Sequence, residues 1–237
     1  MHHLYQTDAY VLKTLPQSEA GKYVLLFTKD FGLILTTAQG LRYEKSKLRF
    51  AIQDYSKASV SLVRGKNDFW RLTNAVVDKN LFYSINSSTH SLSSSRRQES
   101  IQVTGSQVKP EKTKDERFDI VVRIFKLLER LLSGEEADTT LFEIVDEGMK
   151  YLESFEKMDP FLREDDREGL GYKEKLLNIE TVFVLRILNR LGYVGNNKNL
   201  DFYTVDNAWD INVIEKMNEE RGEALESINN ALRESQL

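Results

Sequence analysis

The chain predicts an α+β, multi-domain protein in which a small N-terminal β-barrel is followed by an all-α helical C-terminal region. Residues 5–77 read as short runs rich in Val, Ile, Leu, Thr, Tyr and Phe, separated by Gly or charged turns. After Arg117 the apolar spacing changes to the helical period. Between the two lies a polar span with 8 Ser in residues 84–100. These observations divide the 237 residues into a barrel over 1–83, a linker or insertion over 84–117, and a helical domain over 118–237.

Five strands are expected near Asp8–Thr14, Gly21–Lys29, Gly32–Gln39, Lys57–Arg64 and Phe69–Val77. The fourth is the cleanest, because Ala58, Val60 and Leu62 alternate with Lys57, Ser59 and Ser61, which puts one face in a core and the other in water. Between the third and fourth, Leu48, Ala51 and Ile52 fall at the spacing of one or two helical turns, as a short plug helix at a barrel end requires. The Ser-rich span reads as flexible linker or extended insertion, with Ile101 and Val103 leaving a small hairpin open.

The first long helix carries two apolar stripes, Phe118, Val121, Val122, Phe125, Leu128 and Leu132 on one side and Ile120, Ile124, Leu127 and Leu131 on another, so it should be central. A second is expected over Asp138–Phe155, opened by the capping-box pattern Thr140-x-x-Glu143. A third over Lys173–Leu191 ends at Gly192, where a left-handed cap suits glycine. Two more, Trp209–Glu220 and Glu223–Arg233, complete a bundle whose parts form a core separate from the barrel's.

Composition narrows the function classes. With 41% hydrophobic and 30% charged residues and only 3 Pro, the chain is neither collagenous nor wholly disordered. Arg123, Lys126, Glu129 and Arg130 interrupt one long apolar segment and Arg186 and Arg190 another, so no membrane span is expected. The absence of Cys removes thiolate metal sites and cysteine nucleophiles, and the N-terminus carries no secretory pattern, so a cytoplasmic protein is expected. The 3 His are His2, His3 and His90, a poor basis for a catalytic triad or a zinc site. No Walker loop or nucleophile elbow occurs, and Gly169-Leu170-Gly171 lacks the third glycine of a dinucleotide loop and reads as a plain loop. Neither a catalytic residue nor a cofactor or metal is expected.

Charge is more telling than its net value of −4. Residues 1–80 carry +5 and residues 118–237 carry −11, which favours an anionic polymer on the barrel with the helical half held away from it. Arg42, Lys45, Lys47 and Arg49 surround a single acid, Glu44, in the segment Leu41–Phe50. Tyr43, Phe50, Phe69 and Trp70 lie close in sequence or across the barrel, and Arg64, Lys66 and Arg71 flank the last turn. Cations that follow phosphates beside aromatic rings that stack on bases suit single-stranded nucleic acid. Strand alternation allows at most one of Phe69 and Trp70 to be free for stacking. The candidate DNA-binding set is therefore Lys13, Lys22, Arg42, Tyr43, Lys45, Lys47, Arg49, Arg64, Lys66 and Arg71. The alternative is an interaction module whose basic face docks an acidic protein partner, without nucleic acid.

The order of Val11-Leu12-Lys13-Thr14, Ser18-Glu19, Val24-Leu25-Leu26-Phe27-Thr28, Phe31-Gly32, Ala38-x-Gly40, Lys45-Ser46-Lys47-Leu48-Arg49 and Val63-Arg64-Gly65 resembles the start of the RecO family. Phe183-x-Leu185-Arg186-Ile187-Leu188-x-x-Leu191-Gly192-Tyr193 is similar to the signature helix of that family's C-terminal domain. The resemblance implies an N-terminal OB-fold barrel and a non-enzymatic recombination mediator in DNA repair. It also implies binding of single- and double-stranded DNA, strand annealing, and loading of RecA onto single strands coated with SSB, with RecR and the SSB C-terminal tail as partners at the nucleoid. Many members carry a four-cysteine zinc module after the Leu-Gly-Tyr stretch, where this chain has Val194-Gly195-Asn196-Asn197-Lys198-Asn199-Leu200-Asp201, so no metal is carried over.

Overall fold

Alternating apolar side chains close the N-terminal strands on themselves. The computed structural model describes residues 3–17, 21–39, 48–65, 68–86, 115–158, 170–195, 197–205 and 208–234. Strands β1 (Leu4–Pro16), β2 (Lys22–Thr28), β3 (Gly32–Ala38), β4 (Ser56–Arg64) and β5 (Trp70–Asn80) form a closed barrel in the order β1-β2-β3-β5-β4. All neighbours are antiparallel except β3 and β5, which run parallel. That order and the helix between β3 and β4 make it an OB-type barrel. Ala9, Val11, Val24, Leu26, Ile34, Val60, Leu62 and Leu72 fill its interior. Helix α1 (Leu48–Ala51) supplies the expected plug, with Ala51 and Ile52 buried among them.

Helix α2, residues 81–86, continues directly from β5. The Asn80 side chain caps it by accepting from the N–H groups of Phe82 (3.1 Å) and Tyr83 (3.4 Å), and Leu81 and Ile85 are buried. Residues 84–86, expected in the linker, are thus helical, and residues 87–114 of that span lie outside the described residues. Helix α3 (Glu116–Leu131) begins at an Asp115 cap. The guanidinium of Arg117, fully buried, bonds Asp115 (2.6 Å) and the Ile85 carbonyl (3.2 Å), so the two chain ends that flank the insertion are tied together. With its base closed, an insertion of any length carries a modest entropic cost, because closure entropy grows only slowly with loop length.

Helices α4 (Thr139–Met158), α5 (Leu170–Arg190), α6 (Asp201–Thr204) and α7 (Ile211–Glu234) follow. The cap of α4 is Asp138, whose carboxylate accepts from the Leu141 N–H at 2.9 Å, and not the expected Thr140 box. Leu170 and Gly171 belong to the first turn of α5 and not to a loop. That helix ends as expected: Gly192 has φ 78°, Tyr193 N–H returns to Leu188 O and Gly192 N–H to Asn189 O. The two helices expected at the C-terminus are one. Gly222 lies inside α7, and the buried stripe of Val213, Met217, Ala224, Ile228 and Ala231 runs past it. A glycine inside a helix costs about 1 kcal/mol, less than the burial of that stripe contributes.

The expectation of two separate cores is corrected. Tyr10, Leu12, Phe27, Leu81 and Ile85 of the N-terminal part share one buried cluster with Phe118, Val121, Phe125, Phe142 and the rest of the bundle. The chemical reason is that β1 and β2 are apolar on both faces, so the outward residues need a cover. The backbones touch as well: Gly32 has φ +67°, and a Cβ there would lie 2.3 Å from the Glu136 carbonyl oxygen. Among the described residues no helix is long and apolar enough to cross a membrane.

Gly32→Ala therefore meets both a backbone clash and a left-handed φ, whereas Gly134→Ala meets only the φ of +84° with open space around it. In urea unfolding, Gly134→Ala should lose about 1 kcal/mol of stability and Gly32→Ala at least about 2 kcal/mol. Equal losses would mean that the close approach of Gly32 to Glu136 carries no weight.

Candidate nucleic-acid interface

A β-bulge between Val11 and Lys13 shifts the pairing of β1 with β2. Lys13 then forms an ion pair with Glu129 of α3 at 2.5 Å. At the far end of β4, Arg64 stacks over the Trp70 ring (4.6 Å), bonds Asp68 (3.3 Å) and pairs with Glu135 of the α3–α4 connection. Two of the expected DNA contacts thus face carboxylates of the same chain. The others that are described do not: Arg49 on α1 and Arg71 on β5 are exposed, and Lys22 donates to Thr14 Oγ1 at 3.3 Å. None of these three makes an ion pair among the described residues. Arg42, Tyr43, Lys45, Lys47 and Lys66 lie outside the described residues.

Of the aromatic residues, Trp70 is buried against Tyr5 and Phe31, and Phe69 is 61% exposed. The division that alternation demands is therefore met with Phe69 outward. Phe50, beside Arg49, is 68% exposed. Cations and open rings on one barrel can hold phosphates and stack bases without any catalytic group.

Other cations of the barrel turn to the helices. Lys57 bonds Asp146 of α4 at 2.5 Å, and the same carboxylate accepts the Tyr10 hydroxyl at 2.7 Å and Lys150 at 2.8 Å. Lys79 pairs with Glu153, which also accepts from Ser84 at 2.5 Å, and Lys29 pairs with Glu143 at 3.2 Å. Burial alone would raise the Asp146 pKa, but the hydrogen bonds from Lys150, Lys57 and Tyr10 outweigh it and bring it down to about 2. Burial first, and then the Asp146 charge, push the Tyr10 hydroxyl well above its ordinary value, so it stays a donor. Sequence reasoning does not connect Asp146, Glu129, Glu135, Glu143 and Glu153 with the cations of the barrel. Their signal is the opposite charge of the two halves, which here is used within one molecule.

Residues 1–80 match the family described as Recombination protein O N terminal. This part of the chain is similar to RecO N-terminal domains. The DNA repair protein RecO of Caldanaerobacter subterraneus subsp. tengcongensis is 35% identical over 71 residues, 28% of this chain and 29% of the relative. That of a Thermoanaerobacter strain is 36% identical over 76 residues, 30% of this chain and 31% of the relative. The similarity thus spans less than a third of the length of either RecO protein. The family match takes in the whole barrel, including β1 and β4, which carry Lys13, Lys57 and Arg64.

Because Asp146 ionises in the folded protein at about 2 and ordinarily near 3.8, its contribution is complete above pH ~4 and is lost as pH falls toward 2. Thermal melts over that range should show a falling Tm in the native chain. Asp146→Asn should start about 2 kcal/mol or more less stable at neutral pH, since it leaves the largely buried Lys57 without a counter-charge, and should fall less steeply in acid. Parallel Tm profiles for the two proteins would remove Asp146 from this role.

Proposed function

We propose that this chain is a DNA-binding recombination mediator of the RecO type, acting in DNA repair by binding and not by catalysis. In this role it binds single- and double-stranded DNA through the barrel, anneals strands, and with RecR helps load RecA onto single strands coated with SSB, whose C-terminal tail it contacts. It works in the cytoplasm at the nucleoid. The observation that carries the proposal is a RecO N-terminal barrel whose Arg49, Arg71 and Lys22 stay clear of the acidic helices while Phe50 and Phe69 stand open. The sequence alone adds Arg42, Tyr43, Lys45, Lys47 and Lys66 to the proposed DNA contacts.

The other reading, an interaction module for an acidic partner, has one supporting observation: five barrel cations do take carboxylates. Those carboxylates belong to this chain, so the cations left over favour a phosphate polymer.

Anisotropy of a labelled single-stranded oligonucleotide over a salt series separates the two. If Arg49 and Arg71 each neutralise one phosphate, replacing both by Glu should lower the slope of log affinity against log salt by about 1.4, at roughly 0.7 per contact. The loss should be alike for different sequences, because phosphate contacts do not read bases. Lys45→Glu with Lys47→Glu should act in the same direction. A folded Arg49→Glu/Arg71→Glu protein with unchanged affinity and slope would overturn the assignment.

A further inference from the structure

The outward face of β2 and β3 is covered only in part. Phe27 and Leu33, paired in register, join the core shared with the bundle, and Leu25 of the next outward pair packs against it. There the cover ends, for Leu35, the register partner of Leu25, is 46% exposed. The outward pair beyond is Tyr23 and Thr37, and Arg71 of β5 stands opposite Thr37. Directly opposed residues share a face of the sheet, and these three alternate along their strands with the inward Val24, Ala38 and Leu72. They form one outward row. Phe69, 61% exposed, comes just before the inward Trp70 and two residues before Arg71, so it lies on the same side.

Neighbouring strands are about 4.8 Å apart, and like-facing residues of one strand about 7 Å. Tyr23 is thus about 10 Å from Arg71 across Thr37, with Leu35 and Phe69 in the adjoining row. Among the described residues the half-buried Tyr23 has no hydrogen bond or ring contact, and Arg71 has no ion pair. A base can cover such a ring with either of its faces, while the cation holds a phosphate of the same strand. Duplex DNA keeps its bases inside and offers this surface only its backbone. An acidic peptide would gain from Arg71 and leave both rings uncovered.

We propose that Tyr23 is a base-stacking residue of a single-strand lane on the outer face of β2, β3 and β5, with Phe69 as the second ring and Arg71 as the phosphate contact. This rests on the DNA-binding role proposed above and adds to it a residue and a preference. The lane takes unpaired strands, and a duplex meets Arg71 alone. The bundle over Leu25, Leu33 and Phe27 bounds the lane on one side, so a strand runs from Tyr23 toward Phe69.

The test uses anisotropy with the full chain and three labelled probes: an oligothymidylate, an abasic strand of the same length, and a duplex. The variants are Tyr23→Leu, Tyr23→Phe and, as an exposed apolar control farther along β5, Val76→Ser. Tyr23→Leu should bind the oligothymidylate about tenfold more weakly with an unchanged salt slope, because a base contact releases no counter-ions. Tyr23→Phe and Val76→Ser should stay within about twofold of the native chain. The abasic strand and the duplex should bind the native chain and Tyr23→Leu alike. Photocrosslinking of the native chain to an iodouracil-substituted strand should place adducts on Tyr23 or Phe69, and it decides the matter should Tyr23→Leu fail to fold. No loss in Tyr23→Leu, an equal loss in Tyr23→Phe, an equal loss on the abasic strand, or adducts confined to other residues would each overturn the lane while leaving DNA binding standing. A native chain that binds none of the three probes would overturn the DNA reading itself, and the lane with it.

Discussion

Asp146 is the point at which the two halves of the molecule are joined. Its carboxylate receives Tyr10 from β1, Lys57 from β4 and Lys150 from its own helix, in a setting where an uncompensated charge would be strongly destabilising. Around it Tyr10 packs on Phe125 and Phe142, and Tyr55 on Phe118 and Phe125. The polar tie fixes the register of this contact, and the aromatic cluster supplies most of the favourable energy through burial. With α4 so placed, Gly32 and Glu136 can meet backbone to backbone.

That junction decides which cations remain for a ligand. Lys13, Lys29, Lys57, Arg64 and Lys79 meet carboxylates of α3, α4 or the connection between them, and Arg49, Arg71 and Lys22 do not. The charge asymmetry of the chain thus serves cohesion in part. Among the described residues what is left is a smaller basic surface than the sequence total suggests, and in the proposed role the acidic helices would keep polyanions to the side of the barrel that they do not cover.

The barrel is legible in the sequence because its signal is local. Alternation places Ala58, Val60 and Leu62 inside, and the spacing of Leu48, Ala51 and Ile52 finds the plug. The two apolar stripes of α3 announce a central helix, and Phe118, Ile120, Val121, Ile124, Phe125 and Leu128 are all buried. The continuous runs Ala9-Tyr10-Val11-Leu12 and Val24-Leu25-Leu26-Phe27 carry the matching message, that β1 and β2 are covered on both faces, which an expectation of two separate cores leaves out. The ion pairs are beyond sequence reasoning. Lys13 and Glu129 lie 116 positions apart and Lys57 and Asp146 89, so their meeting depends on tertiary placement that no local pattern encodes. The same holds for Phe69 and Trp70, whose division is fixed by alternation but whose sense is set by Tyr5 and Phe31 closing over Trp70.

The claim that barrel and bundle form one cohesive unit is tested most directly by native-state hydrogen exchange of the full chain across a urea series. If the shared core governs stability, the slow amides of β1 around Tyr10 and of α4 around Asp146 should converge on a single opening free energy with the same urea dependence. Amides of α4 and α5 that open together at a lower free energy, while those of β1 and β4 stay protected, would show two independent cores and contradict the account.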